Sequence, residues 1–227
     1  MKKHIVAAFV LLCLFILCIP TFSVTNESNI VFSKIPEKSK KIALTFDDGP
    51  HPRYTKKILD ILNKYNIKAT FFVIGCNVKN YPETFKSIFE NGHEIGNHSY
   101  SHKNQKSLSQ QSILSEISEC EDIVYNTVGI RPTVFRPPQG DYSDFVKQVA
   151  ESKDYSIILW SIDTRDWEHN SPHNIAQLIE NNVTGGDIIL MHDYVSGNNT
   201  TCEALELIIP QLLSKGYQFV TVSQIIE

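Results

Sequence analysis

Short apolar runs alternate along the chain with longer segments whose apolar residues recur at helical spacing. Continuous apolar runs are typical of parallel strands that are buried on both faces. Seven such runs predict strands over Ile42–Phe46, Ala69–Ile74, Glu94–Asn97, Thr133–Phe135, Ser156–Trp160, Asp187–Met191 and Tyr217–Val222. Six segments between them predict helices over Tyr54–Tyr65, Pro82–Glu90, Ser109–Thr127, Ser143–Ser152, Pro172–Val183 and Thr201–Ser214.

This regular alternation of strands and helices predicts an α/β fold with a parallel sheet. An open, doubly wound sheet and a closed barrel both fit the pattern. No interior linker and no internal repeat interrupts the alternation. We therefore expect a single domain over residues 41–227.

The first residues follow a different pattern. Lys2 and Lys3 precede an uncharged apolar run, Ile5–Ile19, which Pro20 ends. Such a run is short for a membrane span but fits the apolar core of a secretory signal. We expect a signal peptide, or an uncleaved N-terminal anchor, over residues 1–23 and a polar, mobile leader over residues 24–40. Such a protein would be secreted or associated with the cell envelope, with membrane contact only through an uncleaved N-terminal segment.

Composition narrows the possible classes of protein. The chain has 227 residues, of which 42% are apolar and 20% are charged, and its formal net charge is −4. This balance excludes a disordered chain and a multi-span membrane protein, and the mild acidity disfavours nucleic-acid binding. Beyond the signal, Cys76, Cys120 and Cys202 are widely spaced and form no C-x-x-C pair. They predict at most one disulfide and no zinc knuckle.

Ionisable residues follow the carboxyl ends of five predicted strands. They are Asp47 with Asp48, His98 with His102, Arg136, Asp163 with Asp166, and His192. In a parallel α/β barrel these strand ends share the face on which active sites are built. Any one of these groups alone could belong to a turn, to a solvent-exposed face or to the core. Together they predict an active site.

The two histidines suggest a metal site. The four-residue spacing of His98 and His102 predicts a helical turn with both imidazoles on one side. With one aspartate they would supply three protein ligands and leave a fourth position for water, for which zinc is the default metal. Asp47 and Asp48 would repel each other if both were buried, so a nearby cation would explain them.

Two further groups suggest charge pairing and proton transfer. Arg136 lies where a buried carboxylate would need a charged partner. An aspartate on a neighbouring strand end, such as Asp166, would fix the tautomer of His192 and help to keep it protonated. His192 would then be a general acid. Alternatively, His192 could be a core histidine whose ring is hydrogen-bonded within the protein.

The chain resembles the polysaccharide deacetylases of carbohydrate esterase family 4, the NodB homology domain. Five motifs that carry the resemblance appear in the family's order, at Thr45–Pro50, His98–His102, Arg136–Gly140, Asp163–Trp167 and Leu190–His192. The resemblance spans about Lys41 to Val222, so residues 41–227 would be the catalytic domain. It implies a deformed (β/α) TIM-like barrel that lacks one strand of the eight, which agrees with about seven parallel strands.

The resemblance also implies a role for each matching residue. The ligands of a divalent metal, Zn²⁺ by default with Co²⁺ or Mn²⁺ as alternatives, would be Asp48, His98 and His102. The catalytic residues would be Asp47 as the general base, Arg136 as its partner, His192 as the general acid and Asp166 as the residue that orients it. The residues that line the acetyl pocket or donate to the oxyanion would be Trp167, Leu190 and, through its backbone N–H, Gln139.

The expected reaction is hydrolysis of N-acetyl groups on N-acetylglucosamine units of an extracellular polysaccharide by metal-activated water. Peptidoglycan is the first expected substrate, and we expect a monomer. A chitin-oligosaccharide deacetylase and an acetylxylan esterase are alternatives on the same fold. An inactive, secreted glycan-binding module is the alternative from another class. Gln139 departs from the family, which usually has an aromatic residue at this position of the substrate-facing edge.

Overall fold

A computed structural model describes residues 30–36, 39–197 and 199–227. Its strands are β1 Val31–Phe32, β2 Lys41–Asp47, β3 Thr70–Val73, β4 Glu94–Asn97, β5 Val134–Phe135, β6 Ser156–Ile158, β7 Ile162–Asp163, β8 Ile188–His192 and β9 Gln218–Phe219. Its α-helices are α1 Tyr54–Lys64, α2 Gly75–Asn80, α3 Pro82–Glu90, α4 Gln110–Val128, α5 Asp144–Ser152, α6 Pro172–Asn182, α7 Thr201–Ser214 and α8 Val222–Ile226. Short 3₁₀ turns span Gln105–Ser107, Pro138–Gly140 and Asp166–Glu168. The predicted signal segment lies outside the described residues.

The strands form one curled sheet in the order β1-β6-β5-β4-β3-β2-β8-β7, and β9 pairs separately with β2. Every neighbouring pair is parallel. Among the described residues, the edge strands β1 and β7 do not pair with each other, so the barrel is open between them. The predicted single-domain, deformed α/β barrel is confirmed.

Two strands were not predicted from the sequence. β7 follows β6 after only three residues, and β1 lies inside the predicted leader. Val31 and Phe32 pair with Ile157 and Ile158, and Lys34 forms an isolated bridge with Asp187. This stretch of the predicted leader is therefore part of the sheet. Strands of two residues are too short to produce a periodic pattern of their own. β5 and β9 are equally short, but they lie within the longer predicted strands Thr133–Phe135 and Tyr217–Val222.

The core lies on both sides of β2. All residues of β2 after Lys41 are buried, as continuous apolar strands require in a sheet covered on both faces. α1 and α7 cover one side with fully buried side chains such as Ile58, Leu62 and Ile208. Burial of each such side chain contributes about 1.5–3 kcal/mol. This packing fixes β2 in the sheet and, with it, the residues at its carboxyl end.

Local signals set the helix ends. Ser109 caps α4 by accepting a hydrogen bond from Ser112 N, and Gly129 ends the helix with a φ of 78°. Ser171 caps α6 in the same way, with Pro172 at the first helical position. Among the described residues, no helix is long and apolar enough to span a bilayer. Cys76, Cys120 and Cys202 are free thiols.

Candidate active site

Asp47, the last residue of β2, is buried and paired with a buried arginine. Its Oδ1 accepts a hydrogen bond of 2.8 Å from Arg136 Nη1, which also donates to Thr45 Oγ1 at 2.7 Å. The other guanidinium nitrogens donate to the carbonyls of Ile158 and Leu159, at the point where β6 ends. Arg136 is fully buried and Asp47 is 3% exposed. The charges therefore compensate each other, and the carboxylate is held in one orientation.

Asp48 leaves the strand in a left-handed conformation, with a φ of 75°. Consecutive side chains of a strand point to opposite faces, yet Asp47 and Asp48 line the same cavity because of this turn. Asn77 Nδ2 donates to the Asp48 carbonyl at 2.8 Å. A Cβ on Gly49 would lie 2.0 Å from the buried Asp193 carboxylate, so the turn requires glycine at this position.

His98 and His102 follow β4 in a loop. The predicted helical turn is wrong, because Ser99 and His102 both have left-handed φ angles, of 64° and 57°. The Asn97 side chain accepts from Ser99 N at 2.9 Å, and Ser99 Oγ accepts from His102 N at 3.1 Å. These bonds stabilise the loop and bring the two imidazole rings to a centroid distance of 5.0 Å.

Asp48, His98 and His102 converge on one point. Asp48 Oδ1 lies 3.5 Å from His98 Nε2 and 3.2 Å from His102 Nε2. Four-coordinate zinc with ligand distances of about 2.0–2.1 Å would place neighbouring ligands about 3.3 Å apart. All three candidate ligand atoms lie within 4.8 Å of one another. This spacing fits a divalent cation.

The hydrogen bonds around the cluster support the same interpretation. His98 Nδ1 lies 2.7 Å from the Arg136 carbonyl, which can only accept, so in the neutral imidazole Nδ1 carries the proton and Nε2 keeps the lone pair. Asp48 Oδ1 is buried and has no hydrogen-bond partner. Burial opposes ionisation of Asp48, but the neighbouring imidazoles of His98, His102 and His192 lower the pKa of its carboxyl. A buried, ionised and unpaired oxygen is suited to a cation.

His192, the last residue of β8, lies on the other side of the cavity. Its Nδ1 is 2.7 Å from Asp166 Oδ1, and its backbone N donates to Asp166 Oδ2 at 2.8 Å. Thr201 Oγ1 donates to Asp166 Oδ2 as well, at 2.7 Å. Burial lowers the pKa of His192, but the hydrogen bond and charge of Asp166 outweigh it and raise this pKa to about 9. The imidazole is therefore protonated at neutral pH.

These groups surround a cavity of about 380 Å³. Its lining residues are Asp47, Asp48, His98, His102, Gln139, Trp160, Asp163, Trp167, Leu190 and His192. Leu190 is buried, whereas Trp167 is 47% exposed. Two predicted site residues, Arg136 and Asp166, do not line the cavity and instead contact residues that do.

Three contributing residues were given no role from the sequence. Trp160 lines the cavity, and Thr45 and Thr201 hold Arg136 and Asp166. Asp163, one of the predicted strand-end residues, lines the cavity as well. Thr45 had a usable signal, because it lies two positions before Asp47 and therefore on the same face of β2. Thr201 had none, since its partner lies 35 residues away in the sequence.

The fold and the site together define a parallel α/β barrel with a candidate Asp-His-His metal centre at its carboxyl face. A profile described as polysaccharide deacetylase matches residues 34–158. The chain belongs to this family, as its motifs predicted.

Known relatives support this assignment. The chain is 38% identical over 196 residues to a peptidoglycan-N-acetylglucosamine deacetylase of Bacillus cereus, covering 86% of this chain and 92% of that protein. It is 40% identical over 193 residues to the peptidoglycan-N-acetylmuramic acid deacetylase PdaC of Bacillus subtilis, covering 85% of this chain but only 40% of PdaC. The crystal structure of the Bc1960 peptidoglycan N-acetylglucosamine deacetylase superposes with a TM-score of 0.84 and 37% identity, over 87% of this chain and 92% of that one.

Proposed function

We propose that this chain is a metal-dependent hydrolase that removes N-acetyl groups from N-acetylglucosamine units of an extracellular polysaccharide, with peptidoglycan as the first substrate. One observation carries the proposal. A buried carboxylate, an Asp-His-His cluster and a histidine held by Asp166 surround a single cavity. Amide hydrolysis needs these three elements together, because it requires an activated water, a stabilised oxyanion and a proton for the leaving amine.

Water activation is assigned to Asp47. A divalent metal held by Asp48, His98 and His102 would acidify water and polarise the amide carbonyl. Asp47 then takes the proton from the attacking water. Its other carboxylate oxygen, Oδ1, accepts a hydrogen bond from Arg136, which holds the carboxylate in one orientation at the cavity. Arg136 is thus a positioning residue for the base.

The acetyl group is assigned to the inner part of the cavity. The buried Leu190 and the indole of Trp167 give the acetyl methyl an apolar surface. Gln139 has a left-handed φ of 63° and lines the same cavity. Its backbone N–H would donate to the developing oxyanion, an effect typically worth ~3 kcal/mol per donor.

Proton delivery is assigned to His192. Water adds to the amide carbon, the C–N bond breaks, and the products are acetate and a free amine. An amine anion is a very poor leaving group, so the nitrogen must be protonated as the bond breaks. His192 carries that proton at neutral pH because Asp166 holds its imidazolium form.

The sugar unit that loses its acetyl group differs between the named relatives. The Bacillus cereus relative is named for N-acetylglucosamine, whereas PdaC is named for N-acetylmuramic acid. N-acetylmuramic acid is therefore the second candidate substrate. We also propose Zn²⁺ as the metal, with Co²⁺ or Mn²⁺ as alternatives, a monomeric state and a location outside the cytoplasm.

Acetate release tests the function. Purified protein is incubated with peptidoglycan and with defined N-acetylglucosamine oligomers, before and after chelation and with each metal added back. We expect release that chelation abolishes and metal restores. Mass spectrometry of the digested glycan then assigns the new free amine to glucosamine or to muramic acid. Binding without acetate release under any of these conditions would support the inactive glycan-binding module instead.

Two variants test the assigned roles. Asp47→Asn and His192→Asn should each abolish turnover while the bound metal is retained. His173→Ala is a suitable control, because His173 is exposed on α6. Full activity in either site variant would overturn the assignment of that residue.

A further inference from the structure

Four side chains stack at the surface in the order Arg53, Tyr54, His51 and Tyr194. The Arg53 guanidinium lies 5.4 Å from the centroid of the Tyr54 ring. The rings of Tyr54 and His51 stack at 5.1 Å and 27°, and those of His51 and Tyr194 at 4.9 Å and 18°. We call this set the tyrosine stack. It ends in the ring of Tyr194, which is 40% exposed.

The stack is held in place from below. His51 Nδ1 accepts hydrogen bonds from the backbone nitrogens of Arg53 and Tyr54, each at 3.3 Å, which orients the imidazole. Tyr194 lies between two buried residues, Asp193 and Val195. Its backbone is therefore anchored while its ring lies at the surface against His51. An exposed tyrosine that is already ordered loses little conformational entropy when a ligand covers it.

The tyrosine stack follows the two strand ends that bear Asp47 and His192. His51 is four residues beyond Asp47, and Tyr194 is two residues beyond His192. β2 and β8 are neighbours in the sheet, with Asp47 paired to His192. Both stacked rings therefore leave the same two strand ends that deliver the candidate base and acid. The proposed mechanism uses none of the four stacked residues.

We propose that the exposed ring of Tyr194 binds a sugar ring of the glycan chain next to the unit that is deacetylated. This inference rests on the proposed function. A cavity of about 380 Å³ lies near the lower end of the range for ligand pockets, so a polymeric substrate must continue outside it. The C–H face of a pyranose is apolar, and a flat, preordered aromatic ring is the side chain that best covers it. His51 and Tyr54 are positioning residues for that ring.

Chain-length dependence of turnover tests the inference. Acetate release is measured for N-acetylglucosamine oligomers from the dimer to the hexamer. Tyr194→Ala should lower kcat/KM for the long oligomers by about tenfold, which corresponds to the loss of one aromatic contact, and leave the shortest active oligomer unchanged. Tyr194→Phe should match the wild type. An equal loss on all lengths, or no loss on any, would overturn the inference.

A control and a binding measurement separate this inference from the proposed function. Tyr125 is also exposed, and its ring contacts the Arg131 guanidinium, but it belongs to the last turn of α4. Tyr125→Ala should behave like the wild type. Calorimetric titration with a glucosamine pentamer, which has no acetyl group to lose, should show a Kd raised about tenfold in Tyr194→Ala. If the wild type binds this pentamer through Tyr194 yet releases no acetate from the N-acetylglucosamine oligomers, the proposed function fails and the binding surface stands. If Tyr194→Ala binds as tightly as the wild type, the inference fails.

Discussion

Two aspartates on opposite sides of the cavity contact histidines in opposite ways. Asp48 Oδ1 is buried without a hydrogen-bond partner, between the Nε2 atoms of His98 and His102. Asp166 is fully buried and accepts hydrogen bonds from the ring and backbone of His192 and from the hydroxyl of Thr201. We call the Asp48 carboxylate incomplete, because its buried Oδ1 has no hydrogen-bond donor. We call the Asp166 carboxylate saturated, because both of its oxygens accept hydrogen bonds from the protein.

This difference distinguishes a ligand from a positioning group. A buried polar atom without a partner is costly, so a site that keeps one needs an additional group to complete it. A saturated carboxylate needs nothing more and can only orient the groups that donate to it. The Asp48 side of the cavity should therefore depend on a metal, and the Asp166 side should depend on its hydrogen bonds.

Removal of the incomplete carboxylate should have the largest effect. Asp48→Ala takes one of three protein ligands away from the cluster, so metal binding and acetate release should both fall to background. Metal content after gel filtration and acetate release measure the two effects separately. Asp60→Ala is the matched control, since Asp60 is exposed on α1. Full metal content in Asp48→Ala would remove Asp48 from the ligand set.

Removal of the saturated carboxylate should affect turnover but not the metal. Asp166→Asn keeps the shape of the side chain but removes the charge that holds the His192 imidazolium. We expect kcat to fall by about 10²–10⁴-fold, the usual contribution of a general acid, with metal content unchanged. Loss of metal from Asp166→Asn, as we expect for Asp48→Ala, would show that both aspartates support metal binding. It would contradict the distinction between the two sides of the cavity.

The difference between the two sides also shows what the sequence can predict. The strand ends that meet around the cavity follow from apolar runs with ionisable residues at their carboxyl ends, such as Asp47 after β2 and His192 after β8. The helical turn expected from the spacing of His98 and His102 is wrong, because the side chain of Asn97 holds Ser99 in a left-handed conformation. Spacing alone does not distinguish a helical turn from a loop that brings the same rings together.

Contacts between distant segments could not be predicted. Nothing near Thr201 in the sequence indicates that it would donate to Asp166, because only the packing of α7 against the barrel brings them together. The two-residue strands β1 and β7 were missed for a related reason. Their pairing depends on neighbours such as β6 and β8, and not on any pattern of their own.

The pH dependence of turnover offers a finer test of the Asp166 side. The pKa of His192 is about 9, and the acid must be protonated to act, so activity should fall as the pH rises through about 9. Asp166→Asn removes the hydrogen bond and the charge that raise this pKa. The alkaline limb of that variant should therefore lie at lower pH, as measured from kcat/KM profiles at a fixed metal concentration. An unmoved limb would show that another group sets it.

Loss of a single donor to Asp166 should have the smallest effect. Thr201→Val keeps the volume of the buried side chain but removes one hydrogen bond to the carboxylate. We expect kcat to fall by about tenfold, in the range of one bond to a charged group. Thr201→Ser should restore most of the loss, because its hydroxyl can donate in the same way. Thr200→Val is the matched control, since Thr200 Oγ1 donates to the Asn170 carbonyl and not to the carboxylate. Equal losses of kcat in Thr200→Val and Thr201→Val would show that a disturbance of the segment before α7 lowers activity. The hydrogen bond from Thr201 to Asp166 would then have no effect of its own.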